Sequence, residues 1–142
     1  MTARKGLVLD ANIFVRAVFG QRVRALLRKY EEQVRFYAPD VCFRDAEKYV
    51  TGISQHQELD PELGHSVLNQ LASLVIQVDH SLYEHYESPA RERIAPRDPD
   101  DWPIVAVALL LGLPIWTEDQ DFFGSGIATW TSDRVELYLQ EA

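Results

Sequence analysis

One event, occurring twice, limits most severely what this chain can become. Near the start, Leu7 to Asn12 reads LVLDAN, three apolar residues running straight into a carboxylate, then a small residue, then an amide. Late in the chain, Pro114 to Thr117 reads PIWT and runs into Glu118, Asp119 and Asp121. A short branched apolar run flanked by Gly6 suits a buried strand. Asp10 then stands at one strand's carboxyl end, and Asp119 just past another. Open α/β sheets take their ligands in the crevice outside the carboxyl ends of the strands.

The rest of the chain alternates in the same manner. Asn12 suits the N-cap of a helix over Ile13 to Phe19. Gln21 to Glu32 carries Val23, Leu26, Leu27 and Tyr30 at helical spacing. Val34 to Ala38 is a second strand, closed by Pro39. The next helix, Asp40 to about Ile53, has a stripe of Cys42, Asp45, Ala46, Tyr49, Val50 and Ile53 on one face. Asp60 caps a helix running to about Leu71, with Pro61 in its first position. Leu74 to Val78 is a third strand, and Asp79 to about Ile94 a polar helix. Arg97 to Asp101, RDPDD, is an acidic turn before the apolar helix Trp102 to Leu111, which Gly112 ends. Ile127 to Trp130 is a short fifth strand, and Asp133 to Leu139 a last helix with Ser132 as cap. Strands alternating with helices predict a three-layer α/β/α fold with a central parallel sheet of four to five strands and right-handed crossovers. The length, 142 residues, predicts one domain over residues 1–142.

Composition narrows the function. Cys42 is the only cysteine, which excludes an intrachain disulfide and any thiolate cluster, and suits a reducing compartment. The opening MTARKGLVLD lacks the apolar core of a signal peptide, and no apolar run is long enough to span a membrane. A soluble cytoplasmic protein is expected. The net charge of −8 is unevenly spread. Residues 1–40 hold eight Lys/Arg against four Asp/Glu, a balance of +4, and the remainder stands at −12. Arg16, Arg22, Arg24, Arg28, Lys29 and Arg35 are candidates for a basic surface beside Asp10, or for a solvated helix face. Overall acidity argues against tight non-specific binding to nucleic acid but leaves room for a local basic groove.

Four acids stand out by placement: Asp10 after the first strand, Asp45 in an apolar helix stripe, Asp101 opening a helix, and Asp119 after the fourth strand. Each has a plainer role, as an N-cap for Asp101 or Asp100, a turn residue for Asp119, a marginal surface group for Asp45. None of these plainer roles predicts convergence. Carboxylates that do converge need protons or a cation to relieve their repulsion. Hard oxygen ligands without His or Cys select Mg²⁺ or Mn²⁺ over Zn²⁺. Such ions, about 4 Å apart where there are two, suit phosphodiester hydrolysis. His56, His65, His80 and His85 show no ligand spacing. Trp102, Trp116 and Trp130 are core fillers or base-stacking surfaces.

LVLDANIFVRAV and RDPDDWPIVAVALLLGLPIWTEDQDF resemble the first and last signature blocks of the PIN-domain family of metal-dependent ribonucleases, and APDVCFRDAEKYV is similar to its middle acidic helix. The likeness spans about residues 5 to 132. It implies a parallel sheet between helices, with three or four acids binding Mg²⁺ or Mn²⁺ at one edge. Asp10, Asp101 and Asp119 match the first, third and fourth acids, and Asp121 a further acid of the last turn. The second acid departs from the pattern. Glu47 has the usual residue type, whereas Asp45 has the right face, and Asp45 is favoured. Asn12 matches a polar position near the site, and Thr117 is placed to hydrogen-bond the carboxylates. The resemblance implies an endoribonuclease acting on single-stranded or loop RNA, leaving a 3′-hydroxyl and a 5′-phosphate. It also implies a possible toxin of a bacterial toxin–antitoxin pair, with an antitoxin protein as partner, commonly as a homodimer. The alternative is a non-catalytic RNA- or protein-binding module of the same fold. A phosphoacceptor receiver domain, with Asp79 after the third strand, fails because Asp10 has no acidic neighbour and no lysine follows Lys48.

Overall fold

The computed structural model describes residues 5–95 and 98–140. Arg97, at the head of the RDPDD turn, and the opening residues 1–4 lie outside the described residues. Strand β1 (Lys5–Leu9) leads to helices α1 (Ala11–Phe19) and α2 (Gln21–Tyr30), then to β2 (Val34–Pro39). Helices α3 (Asp40–His56) and α4 (Pro61–Ala72) precede β3 (Val75–Val78). Helices α5 (His80–Tyr83), α6 (Glu87–Ile94) and α7 (Trp102–Leu111) lead to β4 (Ile115–Trp116), β5 (Thr129–Trp130) and α8 (Val135–Leu139).

All five strands are parallel, in the order β3-β2-β1-β4-β5. The chain therefore winds from β1 outward to β3, then crosses back to β4 on the other side of β1. Helices α1 to α4 pack on one another as one layer, and α5, α6 and α7 form the other. The expected three-layer α/β/α arrangement is the one observed. Leu7, Val8 and Leu9 are all fully buried, as a central strand covered on both faces requires. Helix α7 is apolar around most of its circumference, with Trp102 to Ala108 buried in sequence, because it packs on β1, β2 and α6. Gly112 closes α7 at φ +67°, and its N–H reaches the Ala108 carbonyl at 2.8 Å.

Three local expectations need correction. Asp10, not Asn12, is the N-cap of α1; its carboxylate accepts the Ile13 N–H at 3.1 Å. Asn12 lies inside the helix and is exposed. The polar helix expected from Asp79 to Ile94 is broken by a 3₁₀ turn over Glu84–Tyr86. Pro89 has no N–H for a carbonyl one turn earlier, so a helix must restart just before it. Tyr83 is fully buried and donates its hydroxyl to Asp40 at 2.7 Å, and the His80 N–H reaches the same carboxylate at 3.2 Å, fixing α5 on the start of α3. Finally, Ser132 does not cap α8. Its hydroxyl accepts the Trp116 indole N–H at 3.0 Å and its own N–H goes to Glu118 at 2.6 Å, so the helix starts later. Asp60 does cap α4, accepting the Glu62 N–H at 3.0 Å, with Pro61 next.

Candidate metal centre

Register brings the two acidic turns together. Leu9 lies opposite Trp116 across β1 and β4, and the Asp10 N–H bonds the Trp116 carbonyl at 3.4 Å. The next residues along, Asp10 and Thr117, are therefore neighbours at the carboxyl edge of the sheet. The strand order reverses between β1 and β4, so the helices that follow β1 and precede β4 lie on opposite faces there and leave a crevice. Asp10 ends β1, Thr117 and Asp119 follow β4, Asp101 leads into α7, and α3 runs along the near side.

Thr117 is fully buried and joins the two turns. Its hydroxyl donates to Asp10 Oδ2 and accepts the Asp119 N–H at 2.9 Å. Asp119 in turn accepts the Asp121 N–H at 2.9 Å. Asp10 is 3% exposed. Burial pushes its carboxyl up to about 6, and Asp119 adds to this, against hydrogen bonds from Thr117, Ile13 and Asn12 that favour the charge. Asp101 is half-buried and is pushed up to about 7, first by burial and then by Asp98, Asp119, Asp10 and Asp121. Asp101 is thus within electrostatic reach of Asp98, Asp119, Asp10 and Asp121.

A cleft of about 60 Å³ opens here, lined by Asp10, Asp45, Asp100, Asp101 and Asp119 together with Asn12, Cys42 and Tyr49. The four acids singled out in the sequence thus converge. Asp45 lines the cleft, half-buried, whereas Glu47 is exposed and does not line it. Asp121 joins a closer group: carboxylate oxygens of Asp98, Asp101 and Asp121 all lie within 4.8 Å of one another. Asp101 therefore belongs both to the cleft and to this triad. Asp98 was not anticipated as a site residue. Its signal was the Asp-Pro-Asp spacing, in which the first carboxylate folds back to accept the Asp100 N–H at 3.1 Å. Tyr49, expected on the buried stripe of α3, stands about half exposed at 49%.

None of Arg16, Arg22, Arg24, Arg28, Lys29 and Arg35 lines the cleft. Lys29 pairs with Glu136 of α8 at 2.8 Å, and Arg24 donates to the Val18 carbonyl at 3.4 Å. The histidines stay out as well; His65 bonds the Thr51 hydroxyl at 2.6 Å and His80 meets Tyr83 and Trp102 edge-on. Trp102 and Trp116 fill the core, and Trp130 is half-buried against Tyr138. Among the described residues the cleft is walled by carboxylates with no cationic side chain in its lining, which suits a hard divalent cation. Burial holds the Cys42 thiol well above its ordinary range, and Asp10, Asp45 and Asp101 push it further, so it offers no soft thiolate.

A doubly wound parallel sheet with carboxylates gathered at its switch point is the class of molecule that fold and cleft define. Over residues 8–140 the chain matches the PIN domain family, and it belongs to that family. Solved structures agree at the level of fold. PAE2754 from Pyrobaculum aerophilum superposes with a TM-score of 0.75 at 14% identity, covering 95% of each chain. VapBC2 from Rickettsia felis, bound to a DNA fragment from its promoter, gives 0.69 at 14% identity, covering 89% of this chain and 98% of that one. DNA-bound VapBC from Salmonella typhimurium gives 0.70 at 18% identity, covering 92% and 99%. Comparison with curated proteins finds no match. Among the described residues no helix is long and apolar enough to cross a membrane.

Proposed function

We propose that this chain is a Mg²⁺- or Mn²⁺-dependent endoribonuclease. The observation that carries the reading is the convergence of Asp10, Asp45, Asp101 and Asp119 on one cleft, with Asp10 and Asp101 both pushed up towards neutrality by burial and by their acidic neighbours. Asp10, Asp45, Asp101 and Asp119 would hold the ion, with Asp121 a further acid beside Asp101. A bound divalent ion supplies an activated water and neutralises charge on the phosphate being cleaved. The protein's own part is orientation. Thr117 and the Ile13 N–H fix both oxygens of Asp10, and the Thr117 hydroxyl also anchors the Asp119 turn. Asp101, with Asp98 and Asp121 close beside it, would help orient the ion; the attacking water's proton passes to solvent, and the leaving 3′-oxygen takes one up from solvent. Hydrolysis adds water across the P–O3′ bond, leaving a 3′-hydroxyl and a 5′-phosphate.

The biological role we infer is the toxin of a bacterial toxin–antitoxin pair, acting in the cytoplasm as one domain and as a homodimer, with an antitoxin protein as partner. Membership of the PIN domain family and the likeness to VapBC structures support this reading. The test is incubation of the purified protein with mixed RNA and Mn²⁺. Wild type is expected to cut, and Asp10→Asn and Asp101→Asn to lose at least about 100-fold in rate, as loss of a group stabilising transition-state charge does. Cleavage surviving both substitutions would remove the proposal, as would wild-type protein inert towards RNA at every metal concentration.

A further inference from the structure

Five carboxylates, Asp10, Asp45, Asp100, Asp101 and Asp119, line the cleft, which favours an ion and the phosphate it would bind over an uncharged nucleobase. The rim must then supply whatever holds the base beside the scissile bond. Tyr49 is the flat side chain there. It lies one helical turn beyond Asp45 on α3, lines the same cleft, and leaves about half of its surface (49%) to solvent. The buried residues of α3, Cys42, Ala46 and Val50, hold the helix against the core without it. Other apolar side chains, Leu63 and Leu82 among them, are more exposed still, so exposure alone singles nothing out; what sets Tyr49 apart is that its flat ring belongs to the lining of the acidic cleft. A neutral ring, unlike a cationic side chain, also leaves the carboxylates free for a metal ion.

We propose that the Tyr49 ring is the stacking surface for an unpaired nucleobase flanking the cleavage position. This rests on the ribonuclease reading. A base already stacked within a duplex has no free face to offer, so pairing removes the contact. Stacking on one aromatic accounts for roughly ten-fold or more in affinity.

The test uses the full chain and a fluorescein-labelled, unstructured RNA, free or annealed to its complement. Anisotropy with Ca²⁺ in place of Mn²⁺ reads binding without turnover, and steady-state kinetics with Mn²⁺ separates KM from kcat. Tyr49→Ala should weaken binding of the single strand about ten-fold and raise KM to match, with kcat little changed. Tyr49→Phe and Tyr49→Trp should restore both, and wild type should bind the duplex about ten-fold more weakly than the single strand. Thermal melting and Mn²⁺ affinity equal to wild type keep a folding or metal defect apart. The proposal is overturned if Tyr49→Ala binds as wild type does, if Tyr49→Phe is as weak as Tyr49→Ala, or if the duplex binds equally well. Ring-dependent binding without cleavage would sink the nuclease reading and leave the stacking surface standing, and wild type that binds no RNA would end both.

Discussion

Thr117 does more for the candidate site than any acid does alone. Its hydroxyl is the shared hinge between the β1 turn and the β4 turn, donating to Asp10 and accepting from Asp119. Thr117→Val keeps the shape and removes both bonds. It should cost about 1–3 kcal/mol in urea unfolding, because a buried carboxylate oxygen and a backbone N–H lose their partner. It should also weaken Mn²⁺ binding, because Asp10 then takes up a proton more readily. An unchanged Mn²⁺ affinity would show that the hydroxyl does not tune the site. The choice of second acid is tested at the same scale. Asp45→Ala should lower Mn²⁺ affinity by about ten-fold while Glu47→Ala leaves it intact, as loss of a group at the metal rather than one on the outer face predicts. The reverse result would return the role to Glu47.

At the scale of elements, much could be read from the sequence and the rest is explicable. An apolar run followed at once by Asp is a local signal, and β1 and β4 carried Asp10 and Asp119 to the sheet's edge as their sequences implied. Asp60-Pro61 and Gly112 marked helix ends because capping and φ > 0 depend on one or two residues. What stayed hidden depends on distant partners. The break before α6 was legible in Pro89, but the seating of α5 needs Tyr83 to find Asp40, 43 residues away. The late start of α8 needs Ser132 to reach Trp116. Tyr49 fell on the right helical face but near the cleft's mouth, and periodicity reports direction around a helix, not depth along it. Asp98 was hidden because only the folded Asp-Pro-Asp turn swings its carboxylate towards Asp101 and Asp121. The caps themselves can be tested. Gly112→Ala places a Cβ at φ +67° and should lower stability by about 1 kcal/mol, a fall of roughly 3 °C in melting temperature, with metal binding unchanged. A melting temperature at or above wild type would mean that the α7 terminus relaxes freely.

For the whole molecule, the cost of gathering acids appears as pH dependence. Asp10 and Asp101 hold their protons more tightly folded than unfolded, with values of about 6 and about 7 against an ordinary 3.8. The folded state therefore binds more protons between about pH 4 and pH 7, and metal-free stability falls as pH rises through that window. For the deeply buried Asp10 the shift corresponds to about 3 kcal/mol against the ionised form. Asp40 acts in the other direction; burial opposes its charge, but hydrogen bonds from Tyr83, His80 and Val41 outweigh it and hold its carboxyl below the usual range. Its stabilisation is lost only under more acid conditions. Metal-free protein should thus melt higher near pH 5 than near pH 8, and Mn²⁺ should raise the melting temperature at pH 8 far more than at pH 5. A metal-free melting temperature that climbs steadily from pH 5 to pH 8 would contradict the raised carboxyls. The most direct test of the cation-holding cleft is calorimetric titration of Mn²⁺ into the protein at pH 6.5, in two buffers of different ionisation enthalpy. The expected result is saturable binding that releases protons, since Asp101 is largely protonated at that pH, with both signals lost in Asp101→Asn. Heat indistinguishable from dilution, or binding that Asp101→Asn leaves untouched, would mean that these carboxylates meet for some purpose other than holding a metal ion.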